Sequence, residues 1–283
     1  MNEMMLKVEG ITFEYKRKQP VFQDFSVEMA SGQVIGLLGK NGTGKSTLLY
    51  LMCGLQYAKK GTVWMKGIDV SKRLPATLAD TFLVPEEFML PDISLKRFVE
   101  LNAPFYPRFS WEDLAGYLRN FDLADDIHLG QLSMGQKKKV YMSFALASHT
   151  SLLLMDEPTN GLDIPSKSQF RKVIASSMND ECSIVISTHQ VRDIDRLLDQ
   201  VVIIDSNRVL LNQPVSRIVE KLYFAEQGMD ASLGNTIYSQ PSVQGYSVIL
   251  PNIGAEESPL NLEVLFNATL ADPDRMRAIF SNQ

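Results

Sequence analysis

The chain has 283 residues, with 28 Lys and Arg against 33 Asp and Glu, a formal charge of −5, and 45% hydrophobic residues. That composition belongs to a globular protein with one large core or two unequal domains, and excludes a disordered or fibrous chain. Positive charge is bunched only in KRK at 16–18 and KKK at 137–139, which argues against nucleic acid as the main partner, and both runs read as solvated faces.

The apolar runs, such as SLLLM and VVII, fall far short of the roughly 20 residues that cross a bilayer. The opening MNEMMLKVEG lacks a basic start followed by an apolar stretch, so no signal peptide is expected. Cys53 and Cys182 sit in apolar contexts without paired spacing, and are expected to be reduced core residues of a cytosolic protein.

In chain order, Ile11, Phe13 and Tyr15 alternate along one face. Phe25, Val27 and Met29 repeat the pattern after a turn near Pro20, predicting two antiparallel strands. QVIGLLG is a continuous apolar run, as expected of a strand buried on both faces, and it leads through a glycine-rich loop into the helical stretch STLLYLMCGL. TVWM and TFLV follow as strands, and later SLLLM, SIVIS and QVVIID, with helical segments between the later ones. That alternation predicts an α/β fold with a largely parallel sheet covered by helices. Residues 88–148 read as an inserted helical subdomain of amphipathic stretches without a convincing strand. After about residue 224 the periodicity fades, returning only in a helical tail, LNLEVLFNATLADPDRMRAIF. The expected division is a main domain over 1–223 and a small C-terminal extension over 224–283.

GKNGTGKST at 39–47 fits the spacing G-x-x-x-x-G-K-[ST] between a predicted strand and a predicted helix, the context that a phosphate-binding loop requires. Gly39, Gly42 and Gly44 let backbone wrap a triphosphate, while Lys40, Asn41 and Thr43 complete the loop. Lys45 places its charge on the β- and γ-phosphates, the Ser46 hydroxyl is a ligand for Mg²⁺, and Thr47 can bond the α-phosphate from the helix N-terminus. LLLMDEP at 152–158 is a buried strand with two acids at its C-terminal end, the end at which ligands bind in doubly wound sheets. Asp156 there can join the Mg²⁺ shell, and Glu157 can polarise an attacking water. STHQ after another strand puts His189 where a γ-phosphate contact is wanted. A serine cap, a glycine and then lysines in QLSMGQKKK, 131–139, suggest a second, incomplete anion site.

On these residues, over about 4–220, the chain resembles the ATP-binding subunits of ATP-binding-cassette (ABC) transporters, which implies a P-loop NTPase with a RecA-like core. The resemblance implies ATP and Mg²⁺ as ligands. It also implies a second ATP-binding subunit, identical or not, facing the first head to tail, and separate transmembrane permease subunits. The location implied is the cytoplasmic face of the membrane. LSMGQ then resembles half a site for the partner's nucleotide: Ser133 and the amides near Gly135 would grip its γ-phosphate beside Gln136, with Met134 standing where the family usually has glycine. NGLD at 160–163 would carry Asp163 across the same interface. Aligned on LVPEEF, Glu86 takes the place of the family's metal-contacting glutamine, and is expected to meet Asp156 and Glu157 around one Mg²⁺. Tyr15 matches the adenine-stacking aromatic, and FYPRFSWEDL resembles the exporter branch for drugs, peptides and antibiotics. Two other readings are a non-transport cassette ATPase acting on nucleic acid or in translation, and a nucleotide-binding module that scarcely hydrolyses. Neither a coiled-coil insertion nor a strongly basic surface supports the former, and Glu157 with His189 speaks against the latter.

Overall fold

The computed structural model of the protein describes residues 4–16, 19–205, 207–229, 234–254 and 256–281. Arg17 and Lys18 of the first basic run lie outside the described residues. The first elements are strands β1 (Met4–Phe13), β2 (Phe22–Ala30) and β3 (Val34–Leu38), then helix α1 (Lys45–Met52). Strands β4 (Lys60–Met65) and β5 (Ile68–Asp69) and the short helix α2 (Pro75–Ala79) lead to β6 (Thr81–Val84). Three helices come next: α3 (Leu95–Asn102), α4 (Trp111–Asn120) and α5 (Met134–Ala147), with only an isolated bridge, Ser94 to His128, among them. Then follow β7 (Leu152–Asp156), α6 (Ile164–Ser177), β8 (Ser183–Thr188), β9 (Gln200–Asp205), β10 (Arg208–Pro214) and α7 (Val215–Lys221). The last described elements are β11 (Leu222–Gln227), β12 (Tyr238–Ser242), β13 (Gly245–Pro251), α8 (Leu262–Ala271) and α9 (Pro273–Ser281).

The central sheet has the order β10-β9-β3-β8-β7-β6, with β10 antiparallel on one edge and the other five strands parallel. A second sheet, β2-β1-β4-β5, is antiparallel throughout. The expected α/β class, with a mostly parallel core and antiparallel N-terminal strands, is therefore the observed one. Side chains alternate across the central sheet and divide the interior in two. Val34, Leu153, Ile184 and Val201 join the core shared with α3 to α6 and α8. Their neighbours Ile35, Leu154, Val185 and Val202 join the core shared with α1 and the antiparallel sheet. With apolar side chains needed on both faces, β3, β7 and β8 are buried at every position.

Four features depart from the sequence reading. α5 is graded along its length and is not amphipathic. Met134 is 62% exposed, whereas residues 142–147 are all buried among the other helices and β6. Phe144 anchors that end, with ring centroids 5.0–5.8 Å from Phe109, Phe98 and Phe82. Next, the stretch after residue 224 contains a third sheet, β11-β13-β12, antiparallel. Third, the helical tail is broken between α8 and α9, because a residue before proline resists helical backbone. Asp272 instead caps α9 by accepting the Arg275 N–H at 3.0 Å. Lastly, Cys53 and Cys182 are free, as expected, but only partly buried. Burial still pushes both thiols up, Cys182 to about 11.

Phe144→Ala is expected to destabilise the protein by about 3–5 kcal/mol, the usual cost of deleting a fully buried ring. A denaturant midpoint within experimental error of the wild-type value would contradict that placement.

Candidate functional site

The loop at 39–44 joins the C-terminal end of β3 to α1, and its geometry accounts for the glycines. Gly44 precedes α1 with φ 97°, a left-handed conformation. A Cβ on Gly39 would stand 2.7 Å from the Ile204 carbonyl oxygen, so the loop lies tight against β9. No side chain caps α1, and the amides of its first turn have no acceptor within the helix. Inside the loop, the Thr43 hydroxyl donates to the Lys40 carbonyl at 2.9 Å. Lys45 is 7% exposed, and its ammonium donates to the carbonyls of Gly39 at 2.9 Å and Lys40 at 3.2 Å. Burial lowers the Lys45 pKa, and the nearby charges of Glu157, Asp156 and Glu86 oppose that shift.

β7 delivers the second half of the site. Asp156 is 1% exposed and accepts the Ser187 hydroxyl from β8. Glu157 follows with φ 45°, an uncommon conformation for a residue with a side chain. It is 5% exposed and tied at every polar group. Its N–H donates to the Ser187 carbonyl at 2.9 Å, and its carbonyl accepts the Asn160 N–H at 3.1 Å. One carboxylate oxygen accepts the Thr188 hydroxyl at 2.8 Å; the other accepts the His189 N–H at 3.1 Å and lies 2.7 Å from His189 Nδ1. That second oxygen is also 3.8 Å from the Lys45 ammonium, which joins the two halves in a buried ion pair.

A cleft of about 620 Å³ opens over this pair. Of the residues expected from sequence, Tyr15, Asn41, Gly42, Gly44, Lys45, Ser46, Thr47, Glu86, Glu157 and His189 line it. Tyr15 lies beyond the end of β1, not within an alternating strand, and is 37% exposed. Its ring packs edge-on against Phe13 with centroids 5.0 Å apart, and its hydroxyl is 3.0 Å from Thr47 Oγ1.

Ser133, Met134, Gly135, Gln136 and Asp163 are not among the cleft's lining residues. They form a separate surface where α5 begins. Ser133 and Gln136 make a capping box, the hydroxyl accepting the Gln136 N–H at 3.3 Å and Gln136 Oε1 accepting the Ser133 N–H at 3.0 Å. A Cβ on Gly135 would lie 3.9 Å from the Gly161 carbonyl oxygen, so this end of α5 neighbours the 160–163 turn. Asp163 caps α6 through the Ser166 N–H at 2.9 Å, and hydrogen bonding from Ser166 lowers its carboxyl pKa.

Glu86, Asp156 and Glu157 each have a hydrogen-bond partner of their own, and the charges of all three act on Lys45. Glu86 accepts the Asn160 side-chain N–H at 2.8 Å, Asp156 holds Ser187, and Glu157 holds Thr188 and His189. Among the described residues, no group of three or more His, Cys, Asp or Glu is disposed to hold a metal ion. The donors expected for the metal, the Ser46 hydroxyl and the carboxylates of Asp156 and Glu86, are hard oxygens. Such a sparse set suits Mg²⁺, which takes one or two carboxylates and fills its shell from phosphates and water.

Sequence reading missed two residues at the site. Asn160 links Glu86 to the turn after β7, although it stood inside the NGLD motif. Lys138, read as part of a solvated run, is 5% exposed and donates to the carbonyls of Glu157 at 3.1 Å and Asn160 at 2.9 Å.

The chain as a whole is similar to known proteins. The family model for ABC transporters matches residues 22–160. The ABC transporter ATP-binding protein YtrB of Bacillus subtilis is 24% identical over 270 residues, covering 88% of this chain and 92% of that protein. The cytochrome c biogenesis ATP-binding export protein CcmA of Brucella abortus is 33% identical over 191 residues, 66% of this chain and 86% of that protein. A solved structure of an ATP-binding subunit of an ABC transporter superposes with a TM-score of 0.67 at 25% identity, over 76% of this chain and 91% of that one. With the P-loop fold and the Lys45–Glu157 cleft in place, these matches make the chain a member of the ABC transporter family, one of its ATP-binding and ATP-hydrolysing subunits.

Proposed function

We propose that the protein binds MgATP in the cleft, pairs head to tail with a second ATP-binding subunit, and drives separate transmembrane subunits, in the direction of export. The observation that carries the catalytic part is the buried contact between Lys45 and Glu157, since it joins a phosphate-binding cation to a fixed carboxylate in one site.

The amides of the 39–44 loop and of the first turn of α1 offer donors to the phosphates of ATP. In the structure Lys45 binds two neutral carbonyls. A phosphate oxygen is a stronger partner for an ammonium, so nucleotide is expected to draw it away. Ser46 and Asp156, with Glu86 at the cleft wall, would hold Mg²⁺, which would neutralise charge on the phosphates. Glu157 accepts a proton from the water that attacks the γ-phosphorus as the bond to the ADP oxygen breaks. His189, bonded to the same carboxylate oxygen, holds it in line and faces the cleft. The exposed Tyr15 ring offers a surface for the adenine.

The pairing rests on the start of α5. Its capping box orders Ser133 and Gln136, while the Met134 and Gly135 amides have no acceptor within the helix and so can meet a partner's γ-phosphate. Asp163 stands on the adjoining turn. For the membrane partner we favour an apolar groove of about 790 Å³ that begins at Pro85, beside Glu86, and exposes Leu55, Leu78 and Phe105. Among the described residues, no helix is long and apolar enough to cross a membrane, which fits a subunit seated on the cytoplasmic face of a separate permease. Export is favoured by the segment FYPRFSWEDL. In this reading residues 1–223 form the ATP-binding part and 224–283 a C-terminal extension, with β11 (Leu222–Gln227) crossing that boundary.

Three outcomes are expected. Lys45→Ala should abolish tight MgATP binding, and an unchanged affinity by calorimetry would remove the phosphate-loop assignment. Glu157→Gln should bind MgATP normally but lower turnover by about 10²-fold or more, the scale of a lost general base; wild-type turnover would mean that another group takes the proton. Ser133→Ala with Gly135→Asp should leave nucleotide binding to the monomer intact and abolish ATP-driven dimerisation, since the new carboxylate opposes a phosphate in a closed interface. Light scattering that still reports dimers at wild-type ATP concentrations would refute the pairing surface.

A further inference from the structure

Lys138 stands where two functions meet. It lies in the second turn of α5, four residues beyond Met134, and so on the helix whose exposed start faces the partner in the proposed dimer. Its side chain nevertheless turns inward. At 5% exposure, its ammonium donates to the carbonyls of Glu157 at 3.1 Å and Asn160 at 2.9 Å, and so bridges both ends of the turn that follows β7.

That turn is the one whose geometry has to be imposed. Glu157 holds φ 45°, a conformation that costs a non-glycine residue free energy and persists only when its surroundings determine it. The Glu157 carbonyl would otherwise depend on the Asn160 N–H alone. Asn160 in turn directs its side chain to Glu86 at the cleft wall. One ammonium therefore fixes the backbone beneath the carboxylate and beneath the group that holds Glu86. Neither carbonyl carries a formal charge, so the bonds that Lys138 makes here are to neutral acceptors. Burial lowers its pKa, while the fields of Glu86, Glu157 and Asp156 favour its charged form. A methionine would fill the same space without desolvating a charge, so packing alone does not require lysine here.

We propose that Lys138 is a positioning residue for hydrolysis, which clamps the Glu157–Asn160 turn and ties the orientation of Glu157 to the placement of the partner-facing end of α5. The proposal rests on the reading that Glu157 takes the proton of the attacking water. It implies that a shift of α5 on pairing is felt at Glu157 of the same chain, through one side chain.

The test is a double-mutant cycle of Lys138→Met and Glu157→Gln, with kcat, KM and MgATP affinity by calorimetry measured for each protein. Lys138→Met alone is expected to lower kcat at least about tenfold, with KM and nucleotide affinity within about twofold of wild type. In the Glu157→Gln background it should have no further effect on the residual rate, because the group it positions is gone. Wild-type turnover in Lys138→Met overturns the proposal, as does an equal fractional loss in both backgrounds or a parallel loss of nucleotide affinity. Glu157→Gln turning over at the wild-type rate would instead bring down the reading on which the proposal depends. If Lys138→Met does not yield folded protein, Lys138→Gln, which keeps an N–H donor on a shorter arm, is carried through the same cycle and judged by the same outcomes.

Discussion

The backbone of Glu157 turns into the left-handed region immediately after β7, and the rest of the site is arranged around that turn. A strained turn of this kind costs about 1–3 kcal/mol, and it must be held from several sides to persist. Here β8 and the residue after it hold it through the Ser187 carbonyl, Thr188 and His189, the turn itself through the Asn160 N–H, and α5 through Lys138. Because of the turn, the Glu157 carboxylate faces the Lys45 ammonium and does not continue the alternation of the strand. The acid before it, Asp156, keeps the strand conformation, stays 1% exposed and accepts the Ser187 hydroxyl. Two adjacent carboxylates are thereby given separate surroundings by one change of backbone angle.

This constraint also shows why the sheet must be parallel. β3, β7 and β8 run in the same direction, so the glycine loop, the acid pair and the histidine leave the sheet at the same edge. The two cores packed on its faces keep these ends in register. A buried ion pair such as Lys45–Glu157 is not by itself a source of stability, since desolvating both charges offsets much of their attraction. Its presence is better explained by function. Burial lowers the Lys45 pKa while the Glu157 charge opposes that shift, and the lysine beside two neutral carbonyls is ready for a better anionic partner.

Much of this is legible in the sequence because it is local. The spacing of Gly39, Gly44, Lys45 and Ser46, and the apolar runs of β3, β7 and β8, depend only on neighbouring residues. What depends on distant packing is not legible. Three consecutive lysines look alike in sequence, yet only Lys138 meets carbonyls from the turn after β7, and nothing in KKK distinguishes it. Glu86 is legible as a residue of the cleft, but its bond to the Asn160 side chain is not. The third sheet escapes notice because β12 is polar and carries Pro241, marks of an edge strand that a periodicity reading passes over. The run YSVIL in β13, buried at Ser247, Val248 and Ile249, is the available signal. Tyr15 is drawn by pattern into the alternation of β1, although the strand stops at Phe13.

The central claim is that the Glu157 turn is a fixed platform and Lys45 the part that moves. A crystal structure with bound MgATP in the hydrolysis-deficient Glu157→Gln protein tests it most directly. Residue 157 is then expected to keep its left-handed backbone and its contact with Lys138, while the Lys45 ammonium leaves the carbonyls of Gly39 and Lys40 for the β- and γ-phosphates. A turn at 157 relaxed to ordinary strand or helical angles, or a Lys45 still bonded to both carbonyls beside the nucleotide, would contradict it.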